Sequence, residues 1–322
     1  MTHVLITGIT GFIGSELARS LLKNGYEVFG LVRNDIFSEN RIEGASYIPG
    51  DLLDRPSIGR ALNSSMPDII VHLAAYTPVR FSFHAPGKYS ENYTGTMNLV
   101  EAALEHRAIK QFVAASSAEV YGPRSKRKMG TITEGACPTP LSPYAISKYS
   151  GELYVRYAGH LGLNYTILRP TNTYGRAIGL PEEARGYFIE KLIIGMLKGE
   201  TLKFDGYGES VRRWLYVADH VAAYLSVIEN SRAFGEIFNV SSAEGETSLL
   251  EVAEMASELA EYKSHIEWGV NPRPIDPNFL NISGGKMKRF LGWQPGIKLE
   301  AGLDMTVQYW REKIENIHTR PA

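Results

Sequence analysis

Tyr144 and Lys148 stand four residues apart in the stretch SPYAISKYSGE, Ser142 to Glu152, and side chains of those types at that spacing can do acid–base chemistry. On a helix, positions i and i+4 lie on one face. A free tyrosine ionises near pH ~10 and is a poor base at neutrality, but an adjacent ammonium favours the phenolate and brings its pKa down. Such a pair can remove the proton of a sugar or alcohol hydroxyl. A Y-x-x-x-K alone recurs by chance, with the tyrosine packed in a core and the lysine solvated. The pair therefore needs elements that position it and a partner that uses it.

The first such element is close to residue 1. Val4 to Thr7 reads as a short buried strand that runs into Gly8-Ile9-Thr10-Gly11-Phe12-Ile13-Gly14, and SELARSLLKNG then follows a helical pattern up to Gly25. In this order each glycine has a task. Gly8 permits the tight turn, Gly11 lets the backbone approach a pyrophosphate at the helix N-terminus, and Gly14 allows the helix to pack closely on the strand. The context points to a dinucleotide site. The next strand, Glu27 to Val32, ends at Arg33-Asn34-Asp35 without an acidic residue placed for a ribose 2′-hydroxyl. Arg33 suits a 2′-phosphate or stacking on adenine, so NAD and NADP both stay open. Asp51, after a third strand, is either an acceptor for the adenine amine or part of a helix N-cap. A fourth strand, DIIVHLAA, reaches the small residues Ala74 and Ala75, where a cofactor would pass close to the backbone. Helix SENYTGTMNLVEAALEH and a fifth strand, Gln111 to Ala115, follow, and that strand ends at SSAEVYG. Alternating strands and helices predict a doubly wound parallel α/β sheet that binds ligands at the carboxyl ends of its strands. Ser117, Glu119 and Tyr144 fall at that edge, with the glycine turn.

Bulk properties exclude other classes. With 322 residues, 44% of them hydrophobic, and a formal net charge of −1, there is material for one large domain or two sharing a core, and no charge excess suited to nucleic acid or a membrane surface. The longest apolar runs have strand length, far below the ~20 residues of a membrane-spanning helix. MTHVLITG enters a strand at once, leaving no room for a signal peptide, and the single Cys137 excludes an internal disulfide, in line with a reducing cytoplasm. No metal is expected. The run Arg124-Ser125-Lys126-Arg127-Lys128 has no interleaved aromatics and reads as a solvated loop.

Over nearly its whole length the sequence resembles the extended short-chain dehydrogenases/reductases that act on nucleotide sugars, among them 4-epimerases and dehydratases. The resemblance rests on TGITGFIG, HLAA, NYTGTMNLVEAA, SSAEVYG, Tyr144 with Lys148, LRPTNTYG, RRWLYVADHVAA and LGWQP. It implies a Rossmann domain over 1–174 plus about 205–240, and a smaller α/β substrate-binding C-terminal domain over 175–204 and 241–322. It implies a dinucleotide held by Gly8, Gly11, Phe12, Ile13, Gly14, Arg33, Asp51, Leu52, Ala74, Ala75, Tyr144 and Lys148. NAD is favoured, because a resident oxidised cofactor suits a redox cycle that closes on itself. It places a nucleotide sugar, expected to be UDP-linked, at Ser82, Asn172, Phe204, Arg212, Arg273 and Leu280. Of these, Asn172, Arg212 and Arg273 correspond to diphosphate ligands, and guanidinium forks bind phosphate oxygens well. Arg213 takes the role of Arg212 if the register is off by one. Phe204 corresponds to the residue beside the nucleobase, or is a core phenylalanine on a strand. Relatives carry D-x-S-K before LGW where this chain has Ser283-Gly284-Gly285-Lys286. Counted back from LGW, Leu280 falls where a residue's bulk admits or excludes a 2-acetamido group, and leucine leaves room for an N-acetylhexosamine. Helices around Asn92 to His106 and Ser147 to His160 resemble the family's four-helix contact, so a homodimer is expected.

The chemistry implied by the resemblance starts with Tyr144 taking the proton of sugar O4 while Ser117 hydrogen-bonds that oxygen and C4 gives hydride to the nicotinamide. Lys148 lowers the Tyr144 pKa and holds the nicotinamide ribose. From the 4-ketone an epimerase needs no further base, whereas a dehydratase removes the acidic C5 proton and expels the C6 hydroxyl. The family's 4,6-dehydratases read threonine, aspartate, glutamate before V-Y-G, the aspartate as acid for the leaving water and the glutamate as C5 base. This chain reads Ser117, Ala118, Glu119. The base is present and the acid is missing. The structural alternative for Glu119 is an ordinary ion pair with a loop residue such as Lys126. The expectation is elimination across C5 and C6 with hydride returned to C4, leaving a 5,6-alkene. That outcome is similar to the UDP-N-acetylglucosamine 5,6-dehydratase of the tunicamycin pathway of antibiotic biosynthesis. A UDP-hexose or UDP-hexosamine 4-epimerase and a standard 4,6-dehydratase are the alternative reactions, and a catalytically silent dinucleotide-sensing regulator is the alternative class.

Overall fold

Neighbouring residues of the first strand bury on opposite faces, and this builds a sheet that is covered on both sides. In β1 (His3–Thr7), Val4 and Ile6 join one apolar cluster and Leu5 another. The same division holds in β4 (Ile69–His72), with Val71 on one side and Ile70 on the other, and in β5 (Gln111–Ala115), with Val113 against Phe112. The computed structural model describes residues 1–33, 41–106, 108–123, 130–176, 187–242, 244–269 and 281–318. Its main sheet has seven strands in the order β11-β6-β5-β4-β1-β2-β3, where β2 is Glu27–Val32, β3 Ser46–Pro49, β6 Tyr165–Pro170 and β11 Glu236–Val240. All the pairings are parallel. One face is covered by α1 (Phe12–Lys23) and α7 (Val217–Val227), the other by α2 (Arg55–Ser65), α4 (Pro86–Glu105) and α5 (Pro143–His160). The doubly wound parallel sheet read from the sequence is present. Its strand order reverses between β1 and β4, and a crevice opens there at the carboxyl edge.

The first apolar cluster continues from the sheet into a second layer. There α6 (Phe188–Leu197), α8 (Leu249–Ala260) and α10 (Leu299–His318) contribute Leu192, Val252 and Leu303. Three short ladders shape this layer: β7 (Asn172–Tyr174) runs parallel to β10 (Trp214–Tyr216), β8 (Leu202–Phe204) parallel to β13 (Ile266–Trp268), and β9 (Val211–Arg212) antiparallel to β12 (Thr247–Ser248). Ser248 and Glu251 form a reciprocal capping box that starts α8. The short α3 (Val79–His84) precedes α4, and α9 (Gly285–Leu291) packs against β11.

Two strand ends differ from the sequence pattern, and both matter for the site. β4 stops at His72, short of Ala74. Leu73 N–H still reaches Thr7 O at 3.1 Å, but Ala74 N–H goes to the Thr7 hydroxyl at 3.2 Å, so a side chain takes over the ladder and releases the loop. After β5, Ser117 caps a 3-10 turn, Ala118–Tyr121, by accepting the Glu119 N–H at 3.2 Å. Glu119 thus stands on a tight turn beyond the sheet edge. Among the described residues no helix is long and apolar enough to cross a membrane, and no group of three or more His, Cys, Asp or Glu is gathered to hold a metal.

Candidate active site

The glycine turn is a cradle that side chains cannot enter. Gly8 has φ +76°, and a Cβ there would lie 2.8 Å from Ala74 N. A Cβ on Gly14 would lie 2.1 Å from Gly8 O, and one on Gly11 3.2 Å from the same oxygen. Gly11 is the N-cap of α1 and no side chain caps the helix, so the first-turn N–H groups and the helix dipole face the crevice mouth. Phe12 and Ile13 open that turn. These features fit the pyrophosphate of a dinucleotide. Further along the edge, exposed Arg33 donates to the Tyr76 hydroxyl at 3.3 Å and lies 5.9 Å over its ring. That hydrogen bond pushes the Arg33 pKa up, and Asp51 lies within electrostatic reach. Asp51 accepts the Leu53 N–H at 2.9 Å, and the N-cap of α2 is Asp54. Leu52 packs into the second cluster, and its carbonyl accepts from Asn98 at 2.8 Å. Ala74 and Ala75 lie in the loop released by β4.

Ser142 caps α5 by accepting the Ala145 N–H at 3.0 Å, and Pro143 sets the first turn, on which Tyr144 stands. Tyr144 and Lys148 are both buried, one turn apart. Ser117 hydrogen-bonds the Tyr144 hydroxyl, and Glu119 lies within electrostatic range of it. Burial pushes the Tyr144 pKa up, a hydrogen bond with Ser117 pulls it down, and Tyr187, Glu119 and Tyr89 push it further up. Burial brings Lys148 down to about 8, with Glu152 opposing. The net effect on Tyr144 is upward: burial outweighs the Ser117 hydrogen bond, contrary to the lowering expected from Lys148.

The substrate-side residues have distinct surroundings. Asn172 is exposed at the start of β7. Arg212, on β9, is buried and donates to Val211 O at 2.9 Å. Arg213 is drawn to Asn281 Oδ1 at 3.0 Å and to the carbonyls of Ser242 and Glu244 at 3.2 and 2.7 Å, so it clamps the loop after β11. Phe204 packs as a core residue, with Phe188 at 4.9 Å and Trp268 at 5.5 Å. Ser82 is buried, and its hydroxyl donates to Val79 O at 2.7 Å within its own helix. Arg273, Leu280 and Lys126 lie outside the described residues.

Residues 4–241 match the family model Epimerase, the NAD dependent epimerase/dehydratase family. The chain belongs to this family. It is 29% identical over 339 residues to dTDP-glucose 4,6-dehydratase 1 of Escherichia coli (strain K12), a match that spans 95% of this chain and 92% of the relative. Among solved structures, the UDP-glucose 4-epimerase of Thermotoga maritima with UDP-glucose superposes with a TM-score of 0.89 at 31% identity, covering 97% of this chain and 99% of that one. DesIV, the dTDP-glucose 4,6-dehydratase of Streptomyces venezuelae with NAD and TYD bound, superposes with a TM-score of 0.87 at 30% identity, covering 97% and 98%. NAD is the cofactor of the family, and the cradle around Gly8, Gly11 and Gly14 fits it.

In this member of the epimerase/dehydratase family, two buried polar networks back the tyrosine and lysine. His72 meets the Thr7 hydroxyl through Nδ1 at 2.7 Å and the Thr96 hydroxyl through Nε2 at 2.9 Å. Burial, and then the Lys148 charge, lower its pKa to about 3, so it stays neutral. Glu152 takes two hydrogen bonds from Arg169, at 2.9 and 2.6 Å, and one from the Ser116 hydroxyl. Arg169 also donates to Tyr121 at 2.9 Å, and Tyr121 to Asn239 at 2.7 Å. Between the networks lies a cavity of about 10 Å³, lined by His72, Thr96, Ser116, Ser147, Lys148 and Glu152 among others, with room for one water.

Sequence reasoning missed Thr77, Tyr89, Tyr187 and Glu190. The Tyr187 hydroxyl lies 2.9 Å from Thr77 Oγ1, and its ring 6.1 Å from that of Phe12. Positions 110 residues apart leave no spacing signal. Glu190 is buried; one oxygen accepts the Gly175 N–H at 3.2 Å and the other has no partner among the described residues. A signal for it exists in FIEKLIIGML, where Glu190 shares a helical face with Ile193, Ile194 and Leu197.

Proposed function

We propose that the protein is a homodimeric, NAD-dependent dehydratase of a UDP-linked hexosamine, UDP-N-acetylglucosamine, that eliminates water across C5 and C6 to give a 5,6-alkene. One observation carries the reading: the Glu119 carboxylate stands on the turn that begins with Ala118, within electrostatic range of the Tyr144 hydroxyl. NAD, held at the cradle of Gly8, Gly11 and Gly14, would supply the hydride acceptor and donor for C4. Tyr144 takes the O4 proton while Ser117 hydrogen-bonds that oxygen, and Lys148 holds the nicotinamide ribose. The resulting ketone acidifies the C5 hydrogen, which Glu119 removes as the C6 hydroxyl departs. Tyr144 then returns its proton to O4. Asn172, Arg212 and Arg273 hold the diphosphate, and Leu280 leaves room for the acetamido group. With alanine at 118, the chain lacks the carboxyl that gives the standard 4,6-dehydratase its acid.

Mass spectrometry and proton NMR of UDP-N-acetylglucosamine incubated with the purified protein test the reading. Loss of one water with new vinyl signals is the expected result. A 4-keto, 6-methyl product would make the protein a standard 4,6-dehydratase, and unchanged mass with inverted C4 an epimerase. Glu119→Gln is expected to slow water loss and C5 exchange by about 100-fold or more while the bound cofactor is still reduced. Undiminished dehydration by that variant would remove Glu119 from the mechanism.

A further inference from the structure

A C5 base without an acid for the departing hydroxyl is an incomplete eliminating site, so the crevice must supply a second proton donor. Among the described residues, Ser117 hydrogen-bonds the Tyr144 hydroxyl, Tyr89 packs edge-on against its ring at 6.4 Å, and Tyr187, Glu119 and the wholly buried Tyr224, which no substrate can reach, lie within electrostatic range. On the dehydratase reading, Ser117 is committed to O4 and Glu119 to C5. Tyr89 donates to Pro78 O at 2.5 Å. His72 has both ring nitrogens held by Thr7 and Thr96. Tyr187 remains.

Its placement suits the task. Glu119 stands on the turn after β5, whereas Tyr187 is the residue before α6, in the second layer, so the two flank Tyr144 from different elements within electrostatic range. The Tyr187 ring is partly exposed, is steadied at 6.1 Å by Phe12, and carries its hydroxyl 2.9 Å from Thr77, in the loop that β4 releases beside the cofactor cradle. We propose that Tyr187 is the acid for the hydroxyl leaving C6, with Thr77 donating to the Tyr187 oxygen; this rests on the dehydratase reading above. In the step, Glu119 takes the C5 proton and the C5–H electron pair becomes the second C5–C6 bond. The C6–O bond breaks, and the oxygen keeps that pair and takes the Tyr187 proton, leaving as water. The Thr77 hydrogen bond stabilises the phenolate until the proton held by Glu119 is returned to it through solvent. No oxidant or co-reactant is consumed. Burial pushes the Tyr187 pKa up while Thr77 pulls it down, which keeps the phenol protonated until the leaving group demands the proton.

The test compares UDP-N-acetylglucosamine with its 6-deoxy-6-fluoro analogue, because fluoride departs without being protonated. Tyr187→Phe is expected to slow water loss by about 100-fold or more and to leave fluoride release within a few-fold of the unchanged protein. Deuterium exchange at C5 and copurified NAD should persist in the variant, which shows that it is folded and loaded. Thr77→Val should slow water loss in the same selective manner and by less. Equal slowing of both substrates, or no slowing, overturns the assignment of Tyr187 alone. If the unchanged protein neither exchanges C5 nor loses water, the dehydratase reading fails and takes this assignment with it.

Discussion

Arg169 shows how much of the site depends on a single buried charge. Its guanidinium forks onto Glu152, touches the Tyr121 hydroxyl and lies 5.0 Å over the Tyr121 ring, all out of contact with solvent. A buried pair of this kind contributes little against an apolar replacement, but a lone survivor is expensive because its charge has been taken out of water. Arg169→Leu should therefore destabilise the fold by about 3–5 kcal/mol, seen as a lower urea midpoint. Replacing Glu152 and Arg169 together by leucine should recover much of that loss. A double variant as unstable as the single one would show that Arg169 acts through Tyr121 and Asn239 instead. Glu152 is one turn beyond Lys148 on the same helix, so the pair also fixes the surroundings of the Lys148 ammonium.

At the scale of the element, α6 is a helix with a carboxyl in its apolar face. Burial pushes Glu190 up to about 7, offset in part by the backbone N–H groups of Glu190 itself and of Gly175. The unfolded chain releases this proton near the ordinary carboxyl pKa of 4.5. Between that value and about 7 the folded state holds more protons than the unfolded one, so stability falls as pH rises through the window. Glu190→Gln removes the penalty. The variant should match the parent near pH 4 and exceed it by about 3 kcal/mol above pH 7, measured by urea unfolding at several pH values. A gain independent of pH would mean that the amide simply packs better. The same helix marks the limit of what sequence shows. The buried strand β1 and the glycine turn before α1 are local patterns, and both were legible. Tyr187 against Thr77, Arg213 against the loop after β11, and Ser82 against the Val79 carbonyl depend on where distant segments meet or on which way one rotamer turns. No spacing encodes them. The upward pKa of Tyr144 was hidden for a related reason: the Y-x-x-x-K pattern shows the neighbouring charge but not the depth at which the pair is buried.

At the scale of the whole molecule, α5 has two working faces. Tyr144, Lys148, Glu152 and Val155 turn inward, while Ile146, Leu153, Tyr157 and Leu161 form a stripe on the other side that is 48, 46, 52 and 56% exposed. Four large apolar side chains aligned along one helix are a patch suited to another protein surface. Tyr154 extends the patch toward α4 through its contacts with Tyr93 and Tyr157, at 6.2 and 5.6 Å. In the homodimer proposed above, a twofold axis places this stripe against its own copy, so each substitution acts twice. Leu153→Glu then removes two buried leucines, worth about 2 kcal/mol each, and sets two carboxylates in an apolar contact. The dimer dissociation constant should rise on the order of a thousandfold, and light scattering should find a monomer at concentrations where the parent is a dimer. Because no residue of the cofactor cradle lies on that stripe, the monomer should still copurify with NAD. A variant that stays dimeric would place the twofold contact elsewhere, and one that loses both dimer and NAD would show that the stripe supports the helix on which Tyr144 and Lys148 stand.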